Sequence, residues 1–367
     1  MKRKSIFILT LCLTMLIAPL QAYAKSKPNV SARNAVLMEQ ETGRVLMEKR
    51  AHEKRNIASI TKIMTAIVAI ESGNLDEKAT ASRKAVYTEG SSIYLEQGEK
   101  MLLKDLVYGL MLRSGNDSAV AIAEKVGGSL EGFVHMMNEK ADWIGMTNTK
   151  FANPHGLDQE GHYSTAYDMA LLMRYAMQND MFRKISGTTT YKADSRVYAW
   201  GNKNKLLTKY YDYCTGGKTG YTKTAGRTLV TTAKKDDMEL IMVTLNGPDD
   251  WNDHSHAFEW GFKEYKMKEI RKEGEYDLDS DDENTMGYLW EDVRVPLTKE
   301  EVGQLSERVI TAHTDGLSSL SSVVGKAVYT VNGEQIEAVS IMSSPEDKDR
   351  SYFDQLIQVI KSMAGAY

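Results

Sequence analysis

The sequence predicts an α/β layered domain followed by a small β-rich one. Three observations predict it. Extended segments lie near both ends of the first 270 residues, with helical patterns between them. Strands from the first and last thirds can then share one sheet, with helices packed on its faces. A charged, aperiodic stretch over residues 271–285 reads as a solvated linker. Beyond it, strand patterns and an Asn332-Gly333 hairpin signal mark a second, β-rich unit over 286–345.

Residues 1–24 stand apart from the fold. Lys2, Arg3 and Lys4 precede an apolar run from Ile6 to Leu20, and Ala22-Tyr23-Ala24 supplies a small-x-small cleavage pattern. This is an export signal, too short in its apolar run for a membrane span. Cleavage after Ala24 leaves 343 of the 367 residues and takes the net charge from −4 to −7. A mildly acidic exported chain is a poor partner for nucleic acid. Cys214 is the one cysteine left, so burial without a disulfide must hold the fold. It reads as an inert, buried thiol.

The elements follow in order. Ala35–Gln40 and Arg44–Lys49 read as strands around Glu41-Thr42-Gly43. Ile60, Ile63, Met64, Ile67 and Val68 recur at helical spacing, and Gly73 supplies a stop. After a polar segment over 79–100, Leu102–Leu112 is an apolar helical run that breaks at Ser114-Gly115-Asn116. Helices are expected over Ala119–Val126, Phe133–Ile144 and Tyr167–Gln178, with Asn153-Pro154-His155-Gly156 as a loop. Thr188–Trp200 and Gly216–Tyr221 look extended, Arg227–Lys234 and Glu239–Asn246 alternate as β, and Asp253–Tyr265 reads as a closing helix.

In the second unit, Tyr288–Leu297, Arg308–Thr314 and Lys326–Ser340 read as strands. The tail, 346–367, places Tyr352, Phe353, Leu356, Ile357, Ile360 and Met363 on one helical face. It carries little basic charge, so membrane-surface association and docking onto its own domain stay equally open.

Ser59 and Lys62 lie three residues apart and share a helix face. Alone, such a pair is common. Two further motifs follow it, Ser114-Gly115-Asn116 and Lys218-Thr219-Gly220. Acyl transfer by a serine needs a base, a proton relay and donors for an oxyanion. Lys62 serves as base when neutral, and a helix N-terminus and a second ammonium both lower its pKa. Ser114 can relay a proton, because a hydroxyl both donates and accepts. The Asn116 amide can hold Lys62 and a substrate amide. Lys218 adds positive charge, and Thr219 can donate to a substrate carboxylate. Gly220 lets a substrate backbone lie against the strand. The N–H groups of Ser59 and Tyr221 are the candidate oxyanion donors.

Ser-x-x-Lys, Ser-Asp-Asn and Lys-Thr-Gly are the signature of penicillin-binding proteins and class A β-lactamases. With Ser-Gly-Asn in second place, this chain resembles the low-molecular-mass penicillin-binding proteins, the serine D-alanyl-D-alanine carboxypeptidases (peptidase S11-like), of a Gram-positive, sporulation-type branch. The stretches that carry it include RNIASITKIMTAIVAIE, GLMLRSGNDSAVAIAEKVGGS and GNKNKLLTKYYDYCTGGKTGYTKTAGRTLV, within residues 30–265. The resemblance implies an α/β/α layered transpeptidase/β-lactamase-like domain over 25–270 with an antiparallel sheet, then the β-rich C-terminal domain. It also implies removal of the terminal D-alanine from peptidoglycan stem peptides through an acyl-enzyme. β-Lactams would act as covalent inhibitors, and no metal or cofactor would take part.

One departure stands out. Many relatives place a carboxylate-binding arginine in the region of Asn246–His256, and none is present here. Thr219 is then expected to carry more of that role. A β-lactamase is disfavoured, since no Glu-x-x-Leu-Asn follows Ser114-Gly115-Asn116. A DD-endopeptidase and a non-catalytic, penicillin-sensing wall-binding protein remain as alternatives. Asp253, His254 and His256 lack a completing ligand cluster, so packing is expected of them rather than zinc. His155 reads as a loop-fixing residue.

Overall fold

The structure, a computed structural model, describes residues 27–278, 286–311 and 323–342. The export signal and the amphipathic tail lie outside the described residues. Strands β1 (Asn34–Glu39) and β2 (Val45–Lys49) form the first hairpin. A tight 3₁₀ turn over Ala58–Thr61 leads into helix α1 (Lys62–Glu71). Next come β3 (Lys78–Thr80), α2 (Arg83–Val86), β4 (Lys100–Leu102) and α3 (Leu103–Tyr108). The helix expected to run to Leu112 widens into a π turn at Gly109–Arg113. Helices α4 (Asn116–Gly127), α5 (Leu130–Ile144), α6 (Ala166–Ala176) and α7 (Asp180–Ser186) follow.

The extended stretch expected over Thr188–Trp200 reduces to two short paired strands, β5 (Thr190–Tyr191) and β6 (Trp200–Gly201). Strands β7 (Cys214–Thr222), β8 (Gly226–Lys235) and β9 (Met238–Leu245) then precede α8 (Asp250–Glu264). The main sheet is antiparallel in the order β2-β1-β9-β8-β7. The first and last thirds of the domain thus share it.

β1 shows how the layers form. Val36 and Met38 face the helical core that contains α1, while Ala35 and Leu37 face α8. Covered on both sides, the strand reads as a continuous apolar run. α1 lies deepest, with every residue from Lys62 to Ile70 buried. A helix apolar on all sides is a core helix, and its polar members follow it inside. None of the described helices is long and apolar enough to cross a membrane.

The C-terminal part is β-rich. It contains β10 (Lys266–Arg271), β11 (Gly274–Asp277), β12 (Met286–Leu289), β13 (Val293–Leu297), the short α9 (Lys299–Val302), β14 (Leu305–Thr311), β15 (Val323–Val331) and β16 (Glu334–Met342). Five of these strands form a sheet in the order β11-β12-β16-β15-β14, and β10 pairs with β13. Asn332 and Gly333 both take positive φ, 53° and 80°, as a two-residue hairpin turn requires.

Within the stretch expected as linker, 271–285, β10 ends at Arg271 and Gly274–Asp277 form β11, with Tyr276 and the following Leu278 buried among the charges; residues 279–285 lie outside the described residues. The strand expected over Tyr288–Leu297 divides into β12 and β13. Arg44 ties this part to the first by donating to both Glu301 carboxylate oxygens, at 2.6 and 3.1 Å, and to the Pro296 carbonyl.

Candidate active site

Lys62 opens α1, so the burial of that helix takes its amine out of water. Nζ lies 2.6 Å from Asn116 Oδ1 and 3.1 Å from Ser59 Oγ, and it also donates to the His155 carbonyl. Burial first, then the Lys218 and Lys203 ammoniums, push its pKa well below the ordinary lysine value; Asp117 opposes them. The neutral amine has two N–H donors and one lone pair. Two of its three neighbours are carbonyl oxygens, which only accept. In the neutral form both N–H groups would thereby be spoken for, and the lone pair would be left for the Ser59 hydroxyl proton.

Ser114 follows the π turn with φ +64°. Its Oγ accepts from Lys218 Nζ at 3.1 Å, and Lys218 also donates to the Thr219 carbonyl at 2.8 Å. Burial and the Lys203 charge lower the Lys218 pKa to about 7. The Asn116 side chain uses both ends within the protein: Oδ1 takes Lys62, and Nδ2 donates to the Glu89 carbonyl. The Nδ2 group carries two hydrogens, so the bond to Glu89 leaves one N–H for the substrate amide expected of this residue. Asp117 clamps the 89–95 loop through Ser92 Oγ at 2.6 Å and the N–H groups of Ile93 and Leu95 at 3.1 Å.

β7 brings Lys218, Thr219, Gly220 and Tyr221 to the edge of the sheet, against the turn that carries Ser59. A Cβ on Gly220 would lie 2.8 Å from the Ser59 nitrogen and 2.4 Å from Thr228 Oγ1. Only glycine lets the strand approach so closely. A cavity of about 380 Å³ opens there, lined by Ser59, Ser91, Ser114, Lys203, Lys205, Thr219, Gly220, Tyr221, Arg227, Asp250 and Trp251. Its size suits a short peptide end rather than a deep-buried ligand.

Several of these residues escape sequence reasoning. Arg227 stands opposite Tyr221 across the β7–β8 pair. Asp250 Oδ1 accepts from its Nε and Nη2 at 3.2 and 2.6 Å, and its guanidinium lies 5.3 Å from the Trp251 ring centre. Lys203 donates to Ser91 Oγ at 3.1 Å. The only sequence signal was their nearness to motifs: Lys203 in GNKNK, and Arg227 six residues past Tyr221.

Other predicted positions fall elsewhere. Cys214 is buried, and burial raises its thiol pKa to about 12. His254 lies between Thr231 and Thr244 at 2.6 and 2.9 Å. Among the described residues no group of three or more His, Cys, Asp or Glu side chains could hold a metal ion. His155 does fix its loop, accepting the Leu157 N–H at 3.2 Å, but its carbonyl also reaches Lys62.

A layered domain with serines, lysines and an asparagine meeting at the edge strand of an antiparallel sheet has the layout of a serine acyl-transfer hydrolase. Known proteins narrow this further. The Peptidase_S11 family model, D-alanyl-D-alanine carboxypeptidase, matches residues 21–249. The chain belongs to this family. It is 38% identical over 252 residues to D-alanyl-D-alanine carboxypeptidase DacF of Bacillus subtilis (strain 168), covering 66% of this chain and 64% of DacF. It is 37% identical over 250 residues to DacC of Escherichia coli (strain K12), covering 64% of this chain and 62% of DacC. The match thus spans just under two thirds of each relative. Penicillin binding protein 5 from Haemophilus influenzae superposes with a TM-score of 0.74 at 27% identity, over 86% of this chain and 97% of that one.

Proposed function

We propose that this chain is an exported serine D-alanyl-D-alanine carboxypeptidase acting on peptidoglycan stem peptides. The observation that carries the reading is the environment of Lys62 Nζ: buried, its pKa pushed well below the ordinary lysine value, and with two carbonyl oxygens accepting from it. Ser59 Oγ gives its proton to Nζ and attacks the carbonyl between the two D-alanines. The oxyanion forms toward the N–H groups of Ser59 and Tyr221. The C–N bond then breaks, and the departing D-alanine amine takes the proton held by Lys62, relayed through Ser114, which leaves Lys62 neutral again. Water then attacks the acyl-enzyme; Lys62 takes its proton and returns it to Ser59 Oγ as the acyl group leaves. Penicillin acylates the same serine and leaves slowly.

Thr219 and Arg227 receive the terminal carboxylate in this reading. Arg227 comes from β8 rather than from the region around α8, and it supplies the cation that Asn246–His256 lacks. No metal or cofactor takes part. The 1–24 segment directs export, and the C-terminal tail associates with the membrane.

Fluorescent penicillin tests the nucleophile. It should label the wild type and not Ser59→Ala, and diacyl-Lys-D-Ala-D-Ala should release D-alanine only with the wild type. Labelling without D-alanine release would point instead to a penicillin sensor. Preference for crosslinked over monomeric muropeptides would make it an endopeptidase.

A further inference from the structure

Ala58, immediately before Ser59, is fully buried and sits at φ +49°. L residues avoid this region because Cβ crowds the neighbouring carbonyl oxygen. Something must hold the turn, and the holding groups converge on the Ala58 carbonyl. Thr61 Oγ1 lies 2.8 Å from Ala58 O and 2.8 Å from His162 Nε2. The Ala152 N–H donates to His162 Nδ1 at 3.1 Å.

These partners assign every proton. A carbonyl only accepts, so the Thr61 proton points to Ala58 O. A backbone N–H only donates, so Nδ1 carries a lone pair. A neutral imidazole has one N–H, which must then be on Nε2 and donate to Thr61. The ring stays neutral because burial, the largest influence, lowers its pKa to about 4; the Asp158 charge opposes this, and Lys62 reinforces it. The chain runs from Ala152 N–H through His162 and Thr61 to the Ala58 carbonyl.

The loop beside it is fitted to the same carbonyl. A Cβ on Gly156 would lie 2.0 Å from Ala58 O. That loop also offers its His155 carbonyl to Lys62 and its Pro154 carbonyl to Thr65 Oγ1 at 2.6 Å. One loop therefore braces both the turn before Ser59 and the amine that faces it.

We propose that Thr61 and His162 are positioning residues for acylation. Their relay holds the Ala58 carbonyl in the turn that aims Ser59 Oγ at Lys62 and sets the Ser59 amide against Gly220. The inference rests on Ser59 being the nucleophile. It adds that the threonine between Ser59 and Lys62 acts through its hydroxyl, not its bulk.

Thr61→Val keeps the shape and removes the hydroxyl; Thr61→Ser keeps the hydroxyl. In folded Thr61→Val, kcat on diacyl-Lys-D-Ala-D-Ala and the penicillin acylation rate should fall roughly 10- to 100-fold with KM little changed, as for a misaimed nucleophile. Thr61→Ser should restore both. A purely structural role would lower thermal stability while each folded molecule, counted by end-point labelling, acylates at the wild-type rate; that result overturns the proposal.

Should Thr61→Val not fold, ¹⁵N NMR of histidine-labelled wild type at about pH 6 decides, a pH where an ordinary histidine is titrating. A neutral Nε2–H tautomer at His162 supports the relay, and Nδ1–H or a charged ring refutes it. Labelling that survives Ser59→Ala would instead undo the assignment of Ser59.

Discussion

Arg227 would be an unremarkable surface arginine if α8 did not begin beside it. Asp250, the first residue of that helix, is buried and accepts from two of its N–H groups, which fixes the guanidinium in the wall of the cavity with its other donors not used by Asp250. A guanidinium held this way loses little freedom on binding a carboxylate. Arg227→Gln should therefore raise KM for a stem peptide about tenfold or more, the scale of a lost charge-assisted hydrogen bond. A substrate with an amidated C-terminus should be insensitive to the change. Equal loss on both substrates would mean that Arg227 does not read the carboxylate.

Secondary elements decide the charges at the site. α1 buries Lys62 because its apolar residues pack on every side, and β7 buries Lys218 because the strand passes beneath the Ser114 turn. Lys218 has a folded pKa of about 7 against 10.5 for an ordinary lysine. Between those values the unfolded chain holds a proton that the folded chain has released. Stability from this residue is thus fully present above the upper value and is lost as pH falls toward the lower one. Denaturant titrations at several pH values should show stability rising with pH across that window. Lys218→Met should flatten the rise; parallel curves for the two proteins would contradict the assignment.

Periodicity exposed α1 and the Ser59–Lys62 pair, since residues three apart in a helix share a face whatever surrounds them. It also exposed the strands of the main sheet. It could not show that Asn116 Nδ2 donates to Glu89, because that bond depends on where the 89–95 loop is clamped. Nor did it reveal β11, where Tyr276 inside the strand and Leu278 just past its end make too short an alternation among charges to stand out.

The molecule as a whole joins two parts with different work. The first holds every residue of the site. The second touches it through Arg44 on Glu301 and Pro296 and through Arg294 on Asp237 at 2.7 Å, while Met267 packs into the core beside α8. A chain ended at residue 270 leaves β10 without its partner β13 and frees Arg44. It should melt at a lower temperature yet release D-alanine from the peptide at close to the full rate, and it should lose membrane association. Loss of the chemistry itself in a folded 1–270 chain would show that the β-rich part shapes the site.

By itself the sequence determined which groups are available and which are near neighbours along the chain. The order of Ser59-x-x-Lys62, Ser114-Gly115-Asn116 and Lys218-Thr219-Gly220, the layered domain and the family followed from that. Tertiary structure alone decided what those groups face. The left-handed turn at Ala58, the hydroxyl and imidazole that hold it, the two carbonyls on Lys62 and the cation at Arg227 all arise where segments distant in sequence meet. The physical reason is that a pKa, a tautomer or an aimed lone pair is set by burial and by partners within hydrogen-bond reach. Neither is a local property of the chain.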